Sequence, residues 1–293
     1  MGFRTVIIKN RAKLEFRLNS LIVRGEEEKK IFIGEINTLI IQSTAVSLTA
    51  SLLCELIKNN VKIIFCDEKH NPQSELIPYY GAHNTTKRYK AQIEWKNEIK
   101  AYVWQKIVQK KIISQAELLN ERGFSAQAQM LHEYAKDVRE NDFTNREGHS
   151  AKVYFNCILG MGNSRNSGGF LNGCLNYGYA VLLSAFNREI VSSGYLTQLG
   201  VWHDNEFNPF NLSCDLMEPL RVVVDKTALG IEKGDANFKK IMANVLNYKT
   251  VMDGKTTTLD IAIRQYSRSV FHALEKEDVD LILFPEKISE NEL

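Results

Sequence analysis

The fold is decided near the start of the chain by the stretch Leu14-Glu15-Phe16-Arg17-Leu18-Asn19-Ser20-Leu21-Ile22-Val23. Two runs of aliphatic and aromatic residues lie on either side of the polar pair Asn19-Ser20, and this pattern is typical of two strands joined by a tight turn. Comparable runs occupy residues 5–8, 31–33 and 38–41. Together they predict a small antiparallel β-domain.

The pattern of hydrophobic residues changes after this β-rich stretch. Residues 47–59 carry aliphatic side chains at helical spacing, and a further strand is predicted for residues 61–65. Pro78-Tyr79-Tyr80-Gly81 then interrupts the pattern, and from Thr85 onward helical periodicity dominates. We therefore predict an α+β protein with an N-terminal β-domain over residues 1–80 and a helical domain over residues 81–293.

Composition indicates a globular, cytoplasmic protein. The 293-residue chain is 44% hydrophobic and 25% charged, which excludes the disordered and fibrous classes. Its five cysteines form no Cys-x-x-Cys pair, so we expect reduced thiols rather than disulfides or a zinc finger. The sequence shows no secretory leader and no apolar run of membrane-spanning length, so we expect no membrane association.

A basic segment extends from Lys87 to Lys111, with eight lysine and arginine residues against two glutamates. Aromatic residues are interleaved with the basic ones, and several lysines are four residues apart, as on one helix face. Such a helix suits a surface that follows a phosphate backbone. A solvated helix whose aromatic side chains face the interior explains the pattern equally well, and the sequence leaves both interpretations open.

Glu147 is the first candidate metal ligand. It lies three residues after Thr144, the spacing of a capping box, in which a threonine and a glutamate satisfy free amides at the start of a helix. It also heads a helical stripe with Ala151, Tyr154 and Phe155, so its carboxylate should point inward, where it needs a cation or a donor. The cap and the ligand remain alternatives for this residue.

A second acidic element is the run Asp215-Leu216-Met217-Glu218-Pro219-Leu220-Arg221. With Asp215 as the N-cap of a helix, Glu218 falls at N3 and the proline follows at a tolerated position. Asp215, Glu218 and Asp225 share a helix face, and three carboxylates there need a metal ion or an arginine as compensation. His203 precedes this element, although a single histidine is more often structural than a ligand.

Carboxylate oxygens combined with an imidazole nitrogen are suitable ligands for a divalent metal ion. The sequence therefore points toward metal-dependent phosphodiester chemistry. Other classes lack support, because Gly160-Met161-Gly162 has no third glycine for a dinucleotide fingerprint, and neither a Walker lysine motif nor a Gly-x-Ser-x-Gly elbow occurs.

Several motifs, in this order and spacing, make the chain resemble a known family. They are Met1-Gly2-Phe3-Arg4-Thr5-Val6, Phe65-Cys66-Asp67, Pro78-Tyr79-Tyr80-Gly81, Asn145-Arg146-Glu147-Gly148-His149, Leu175-Asn176-Tyr177-Gly178-Tyr179, Phe207-Asn208 and the run from Asp215 to Arg221. Over essentially its whole length the sequence resembles the CRISPR-associated protein one family, the integrases that capture spacers, and most closely its type II-A branch. The resemblance implies an N-terminal antiparallel β-sandwich for dimerisation and companion contacts, followed by an all-helical catalytic domain.

The resemblance also implies roles for individual residues. Glu147, His203 and Glu218 match the family's catalytic metal ligands, which implies Mg²⁺ or Mn²⁺ as the cofactor. Asp215, one turn before Glu218, is either a further ligand or a support for one. The basic segment would then follow DNA, and the predicted DNA-binding residues are Lys87, Arg88, Lys96, Lys100, Lys110 and Arg146.

The implied function is CRISPR adaptation, in which a metal-dependent endonuclease and integrase joins the 3′-hydroxyl of a captured DNA fragment, the prespacer, to the CRISPR repeat. The implied partners are a second copy of the chain in a homodimer, a small ferredoxin-like companion, the type II-A effector nuclease and a ring-shaped DNA-end-binding protein. Two alternatives remain open. One is a metal-dependent nuclease of branched repair intermediates that does not integrate, and the other is a DNA-binding scaffold without catalysis.

Overall fold

The computed structural model describes residues 2–79, 82–165 and 167–286, together with the backbone of residues 288–289. The chain divides into two compact units, Met1–Tyr79 and Tyr80–Leu293. The boundary predicted near residue 80 involves Tyr80 and Gly81, which lie outside the described residues.

The N-terminal unit contains eight strands and one helix within its described residues. In chain order they are β1 (Arg4–Ile8), β2 (Ala12–Arg17), β3 (Ser20–Arg24), β4 (Glu28–Phe32), β5 (Ile36–Ile41), β6 (Val46–Leu48), α1 (Ala50–Lys58), β7 (Lys62–Cys66) and β8 (Pro72–Glu75). They form two sheets, with strand orders β1-β5-β7-β8 and β4-β3-β2-β6. Both sheets and α1 contribute to one buried cluster that includes Leu14, Leu21, Leu39, Leu56 and Ile63.

The antiparallel prediction holds for β2, β3 and β4 but is wrong for the first sheet, where β1, β5 and β7 run parallel. Parallel neighbours need a long crossover, and β6 with α1 supplies one between β5 and β7. The hydrophobic pattern of a strand does not reveal the direction of its neighbour. Strands β6 and β8 lie outside the predicted set because they are short and only partly buried.

The β2–β3 hairpin confirms the two strands predicted from the opening stretch. Arg17 pairs with Ser20, so the turn residues are Leu18 and Asn19, one position earlier than predicted. Both have positive φ angles, 48° and 57°, as the common two-residue hairpin turn requires.

The second unit is mainly helical, which confirms the α+β class with the sheet region first. In chain order its described elements are α2 (Thr85–Ile93), α3 (Asn97–Glu121), α4 (Ser125–Lys136), α5 (Arg146–Leu159), α6 (Phe170–Ser192), α7 (Asn211–Met217), α8 (Arg221–Gly230), α9 (Phe238–Ala243), β9 (Lys249–Met252), β10 (Lys255–Thr258), α10 (Leu259–Lys276) and β11 (Ile288–Ser289). Within the part of the chain that the structure describes, no helix is both long and apolar enough to cross a bilayer.

The all-helical prediction for this unit is wrong in one place, because β9, β10 and β11 form a small antiparallel sheet. The β9–β10 turn is Asp253-Gly254, with φ angles of 51° and 68°. Asp-Gly between two short runs is a hairpin signal in the sequence. The two strands beside this turn are short and rich in threonine, so the sequence pattern did not distinguish them from the surrounding helices.

The basic segment from Lys87 to Lys111 is two helices rather than one, because α2 ends at Ile93 and α3 begins at Asn97. Helix α3 is the longest helix described, with 25 residues, and Val103, Ile107 and Val108 on it are fully buried. Its middle therefore passes through the interior of the unit, and Lys111 lies there.

Candidate active site

The candidate active site lies where three elements of the helical unit converge. Lys111 comes from the middle of α3, Glu147 from the first turn of α5, and Glu218 from a single 3₁₀ turn that joins α7 to α8. The ammonium of Lys111 contacts Glu147 Oε1 and lies 2.5 Å from Glu218 Oε2. The structure thus brings two of the predicted ligands to one cation.

Glu218 is the most buried of the three predicted ligands, with a side chain 7% exposed. Arg221 donates from Nε to Glu218 Oε1 over 2.7 Å. Burial alone would raise the pKa of this carboxyl, but the charges of Arg221 and Lys111 outweigh burial and hold the pKa at about 2. The other oxygen, Oε2, is the one that lies 2.5 Å from the Lys111 ammonium, so each oxygen of this buried carboxylate faces a cation.

Lys111 supplies much of the compensation for the buried carboxylates. Burial lowers the pKa of its ammonium, but the charges of Glu218 and Glu147 reverse this effect, and the net pKa is raised. Lys111 therefore stays protonated. The sequence predicts that the three carboxylates of the acidic face need a metal ion or an arginine as compensation. In the structure, Arg221 and the buried Lys111 compensate Glu218.

Glu147 is not part of a capping box, so the cap, one of the two alternatives that the sequence leaves open for this residue, is not realised. Helix α5 begins after Asn145, which has a φ of 53°. The amides of Arg146 and Glu147 both donate to the carboxylate of Asp142 over 2.8 Å. Because Asp142 caps this helix, the Glu147 carboxylate is not needed there and contacts Lys111 instead.

Asp215 lies inside α7 and not at an N-cap, so the capping alternative does not apply to this residue. Its fully buried carboxylate accepts the backbone amides of Val201, Trp202 and His203 over 2.6, 2.9 and 3.1 Å. It also lies 2.5 Å from His203 Nδ1. Asp215 therefore organises the loop that carries His203, and its two oxygens are both used in doing so.

His203 is oriented through one ring nitrogen. Because Nδ1 faces Asp215, Nε2 is the nitrogen left for a ligand. The hydrogen bond to Asp215 raises the pKa of His203 against the effect of burial, and the charges of Asp215, Glu218 and Glu147 act in the same direction. An imidazole held by a carboxylate in this way is the usual arrangement of a metal-binding histidine.

The segment that carries His203 is also fixed by two buried amide side chains. Gln92 Nε2 donates to the carbonyls of Leu196 and Leu199 over 2.9 Å each. Asn211 Nδ2 donates to the carbonyls of Gln198 and Asn205 over 3.1 and 3.0 Å. These bonds hold the segment on both sides of His203.

Asp225 is the third carboxylate of the predicted acidic face, and it is not part of the cluster around Lys111. Its carboxylate accepts the hydroxyl of Tyr154 over 2.7 Å and that of Tyr179. Burial raises the pKa of Asp225 to about 6, although the two phenol hydrogen bonds act in the opposite direction. Tyr154 was predicted to share the inward helix face of Glu147, but its hydroxyl donates to Asp225.

The predicted DNA-binding residues have different surroundings. Arg88 contacts Glu275, Lys96 lies 2.8 Å from Glu277, and Arg146 Nε donates to Asp137 over 2.7 Å. Lys87 is exposed, whereas Lys100 and Lys110 are half-buried. The acidic residues near the end of α10 therefore compensate part of the basic segment.

The sequence analysis placed Lys111 only in the basic segment and Arg221 only in a family motif. In the structure these two residues compensate the negative charge of the site. A signal for Lys111 was present in the sequence, because it continues the apolar face of Trp104 and Val108 at helical spacing. A lysine on such a face is buried and needs a partner. For Arg221 the signal was its spacing of three residues from Glu218.

The donor set suits a divalent metal ion in its chemistry. It consists of two carboxylates drawn to one cation and an imidazole with Nε2 available. Within the described residues, however, no three acidic, histidine or cysteine side chains are spaced as a coordination shell. The Lys111 ammonium lies between the two carboxylates in this arrangement.

The fold places the chain in the class of two-part proteins in which a sheet unit is followed by a helical unit. Comparisons with known proteins identify one family within this class. The family model of CRISPR associated protein Cas1 matches residues 5–247. The CRISPR-associated endonuclease Cas1 of Neisseria meningitidis serogroup C (strain 8013) is 35% identical over 94% of this chain and 90% of its own length. The chain belongs to the Cas1 family.

Two solved structures share the fold. A casposase bound to integration product superposes with a TM-score of 0.76 at 20% identity, over 95% of this chain and 93% of that chain. A Cas6-RT-Cas1–Cas2 complex superposes with a TM-score of 0.74 at 15% identity, over 96% of this chain and 36% of that chain.

Proposed function

We propose that the protein is a CRISPR adaptation integrase, which joins the 3′-hydroxyl of a captured DNA fragment to a strand of the CRISPR repeat. The observation that carries this proposal is the convergence of Glu147 and Glu218 on one cation, with His203 oriented by Asp215 in the same electrostatic environment. Membership of the Cas1 family and the fold shared with a casposase bound to integration product support it.

The reaction is a transesterification. The 3′-hydroxyl gives up its proton as its oxygen bonds to the target phosphorus, the bond from that phosphorus to the 3′-oxygen of the target strand breaks, and the leaving oxygen takes up a proton, so that protons balance. One phosphodiester is made for each one lost, so no external source of energy is needed. Water in place of the 3′-hydroxyl gives strand cleavage, the endonuclease reaction.

We propose Mg²⁺ or Mn²⁺ as the cofactor, held by Glu147, Glu218 and His203 Nε2. A bound divalent ion would neutralise charge on the phosphate as the new bond forms. Asp215 fixes the direction of His203, and Arg221 keeps Glu218 ionised and in place. Asp215 itself is a positioning residue in this proposal, because its oxygens already accept the loop amides.

DNA would reach the site along the basic segment. Lys87, Lys100 and Lys110 are the strongest candidates for phosphate contacts, whereas Arg88, Lys96 and Arg146 are already engaged with carboxylates. The N-terminal unit would serve a homodimer and contacts with the ferredoxin-like companion. The type II-A effector nuclease and the ring-shaped DNA-end-binding protein stay predictions from the resemblance.

The test is strand transfer by the purified protein with its companion, a duplex that carries a 3′-hydroxyl and a repeat-bearing plasmid, in Mg²⁺ or Mn²⁺. We expect joined products from the wild type and none above background from Glu218→Ala. Joining that persists in the variant contradicts the role of Glu218. Cutting without joining favours the branched-intermediate nuclease, and DNA binding without either reaction favours the scaffold.

A further inference from the structure

Trp202 is a partly exposed aromatic residue directly before His203. Its side chain is 44% exposed, although single exposed hydrophobic residues are common and need no function. What distinguishes Trp202 is its support. Its indole stacks on that of Trp104, with ring centroids 5.6 Å apart and planes inclined by 5°. Trp104 is 2% exposed, so Trp202 forms the outer layer of a stack whose inner layer belongs to the core.

The same stack touches the candidate active site. The Trp104 ring meets the His203 ring edge-on, with centroids 5.7 Å apart and planes at 82°. We call Trp104 and Trp202 together the tryptophan platform. Through Trp104 the platform and the imidazole form one packed aromatic group, with Trp202 as its outer ring.

The platform is rigid as well as accessible. The amide of Trp202 donates to the buried carboxylate of Asp215 over 2.9 Å. Gln92 and Asn211 hold the carbonyls of Leu199 and Asn205 on either side of it. A surface that is ordered before a ligand arrives loses little conformational entropy on binding.

The distance from the platform to the carboxylates is suited to a nucleic acid strand. Trp104 and Lys111 are seven residues apart on α3, which corresponds to two turns on one face and about 10 Å along the helix axis. A stacked DNA strand advances about 3.4 Å per nucleotide. A strand with a phosphate near Glu147 and Glu218, which contact Lys111, would therefore cover the separation from Lys111 to the inner ring of the platform in about three nucleotides.

We propose that the exposed face of Trp202 is a stacking subsite for an unpaired nucleobase of the DNA strand bound at the site. Every base has a flat face, so this subsite would tolerate any sequence. It would hold the strand next to His203 by stacking and would leave the phosphates to the basic residues. The inference rests on the proposed function, because it names how the same site holds its DNA.

The experiment is a binding titration of the full-length protein with a DNA duplex that carries a single-stranded 3′ overhang. One overhang base is replaced by 2-aminopurine, and its position is varied along the overhang. EDTA is present so that no reaction occurs. Stacking on an aromatic side chain quenches 2-aminopurine, so fluorescence reports contact and the titration reports affinity.

Three variants separate stacking from general effects. Trp202→Ala removes the outer ring, Trp202→Phe keeps a smaller one, and Phe207→Ala removes an exposed aromatic residue of the same segment that is 86% exposed. We expect Trp202→Ala to lose quenching at one overhang position and to bind the overhang DNA about 5- to 150-fold more weakly. Trp202→Phe should restore part of both, and Phe207→Ala should match the wild type.

Thermal unfolding shows whether each variant is folded before it is scored. Wild-type affinity and quenching in folded Trp202→Ala overturn the subsite while leaving the proposed function intact. An equal loss for a blunt duplex, without a position-specific change in quenching, also overturns it. If the wild type binds none of these DNAs, the proposed function and the subsite both fall.

Discussion

Glu218 and Asp225 lie seven residues apart in adjoining helical segments, and both are almost completely buried, yet their pKa values are shifted in opposite directions. Arg221 and Lys111 hold the pKa of Glu218 at about 2, in spite of its burial. Burial raises the pKa of Asp225 to about 6, where two neutral phenols are its hydrogen-bond partners. Cations beside a buried carboxylate, rather than burial, decide whether it is ready to hold a metal ion.

This comparison explains why three carboxylates on one predicted helix face do not form one site. Asp215 is satisfied by backbone amides, Asp225 by phenols and Glu218 by cations. Only the last arrangement already holds a buried carboxylate against cations, the environment in which a divalent ion could take the place of an ammonium. We therefore expect the largest functional effects at Glu218 and Lys111 and mainly structural effects at Asp225.

The largest effect on stability is expected for Lys111→Met, which removes a cation shared by Glu147 and Glu218. Loss of one partner of a buried ion pair costs about 3–5 kcal/mol, and we expect about 3 kcal/mol because Arg221 still compensates Glu218. Chemical denaturation measures the change, with Lys110→Met as the neighbouring control. A loss below 1 kcal/mol would show that Lys111 contributes little to holding the carboxylates.

The same variant sharpens the metal proposal. Without the ammonium, the two carboxylates repel each other and gain more from a divalent ion, so Mn²⁺ should bind more tightly than in the wild type by about tenfold or more. Isothermal titration calorimetry without DNA measures this affinity independently of catalysis. Equal or weaker binding in Lys111→Met argues that the lysine does not compete with the ion.

Asp225 should leave a signature in the pH dependence of stability. Its pKa is raised from 3.8 to about 6 on folding, so the folded state holds the proton more tightly. Its contribution is therefore complete below about pH 4 and is lost as the pH rises through 6, an effect of about 3 kcal/mol. Denaturation at several pH values should show a flatter profile for Asp225→Asn than for the wild type. Asp204→Asn, at an exposed position, should retain the wild-type slope.

Gly200→Ala tests how Asp215 is held, since this carboxylate is surrounded by backbone amides of the loop that follows Gly200. A methyl group there would lie 2.3 Å from the His203 carbonyl oxygen and 2.7 Å from Asp215 Oδ2. We expect about 1–3 kcal/mol of destabilisation and a change in the NMR signals of His203, because backbone must move. Gly230→Ala in α8 is the matched control, since nothing lies within 4 Å of the added methyl group. A wild-type His203 spectrum in Gly200→Ala contradicts this account of the loop.

Much of the sheet unit was predictable, because residues 14–23 alternate around a turn and therefore specify a hairpin by local pattern alone. The parallel pairing of β1, β5 and β7 was not, since it depends on a crossover and not on the composition of any strand. In the site, the sequence indicated Glu147, His203 and Glu218 as candidate ligands but left capping open for Glu147 and Asp215, and neither residue is a cap. Asp142 and the inner position of Asp215 depend on backbone paths that spacing does not reveal.

The smallest effects are expected on the basic segment, where exposed ion pairs contrast with the buried pair of Glu218. Lys96 and Glu277 are 2.8 Å apart with side chains 62% and 50% exposed, and solvent screens a pair that is this exposed. Lys96→Ala should therefore leave stability almost unchanged. If Lys100 contacts a DNA phosphate, Lys100→Ala should reduce the slope of log affinity against log salt by about 0.9. Lys96→Ala should reduce this slope by less, because Glu277 competes with the phosphate for Lys96. DNA titrations at several salt concentrations measure both slopes, and an equal reduction for the two variants would mean that DNA displaces Glu277 completely.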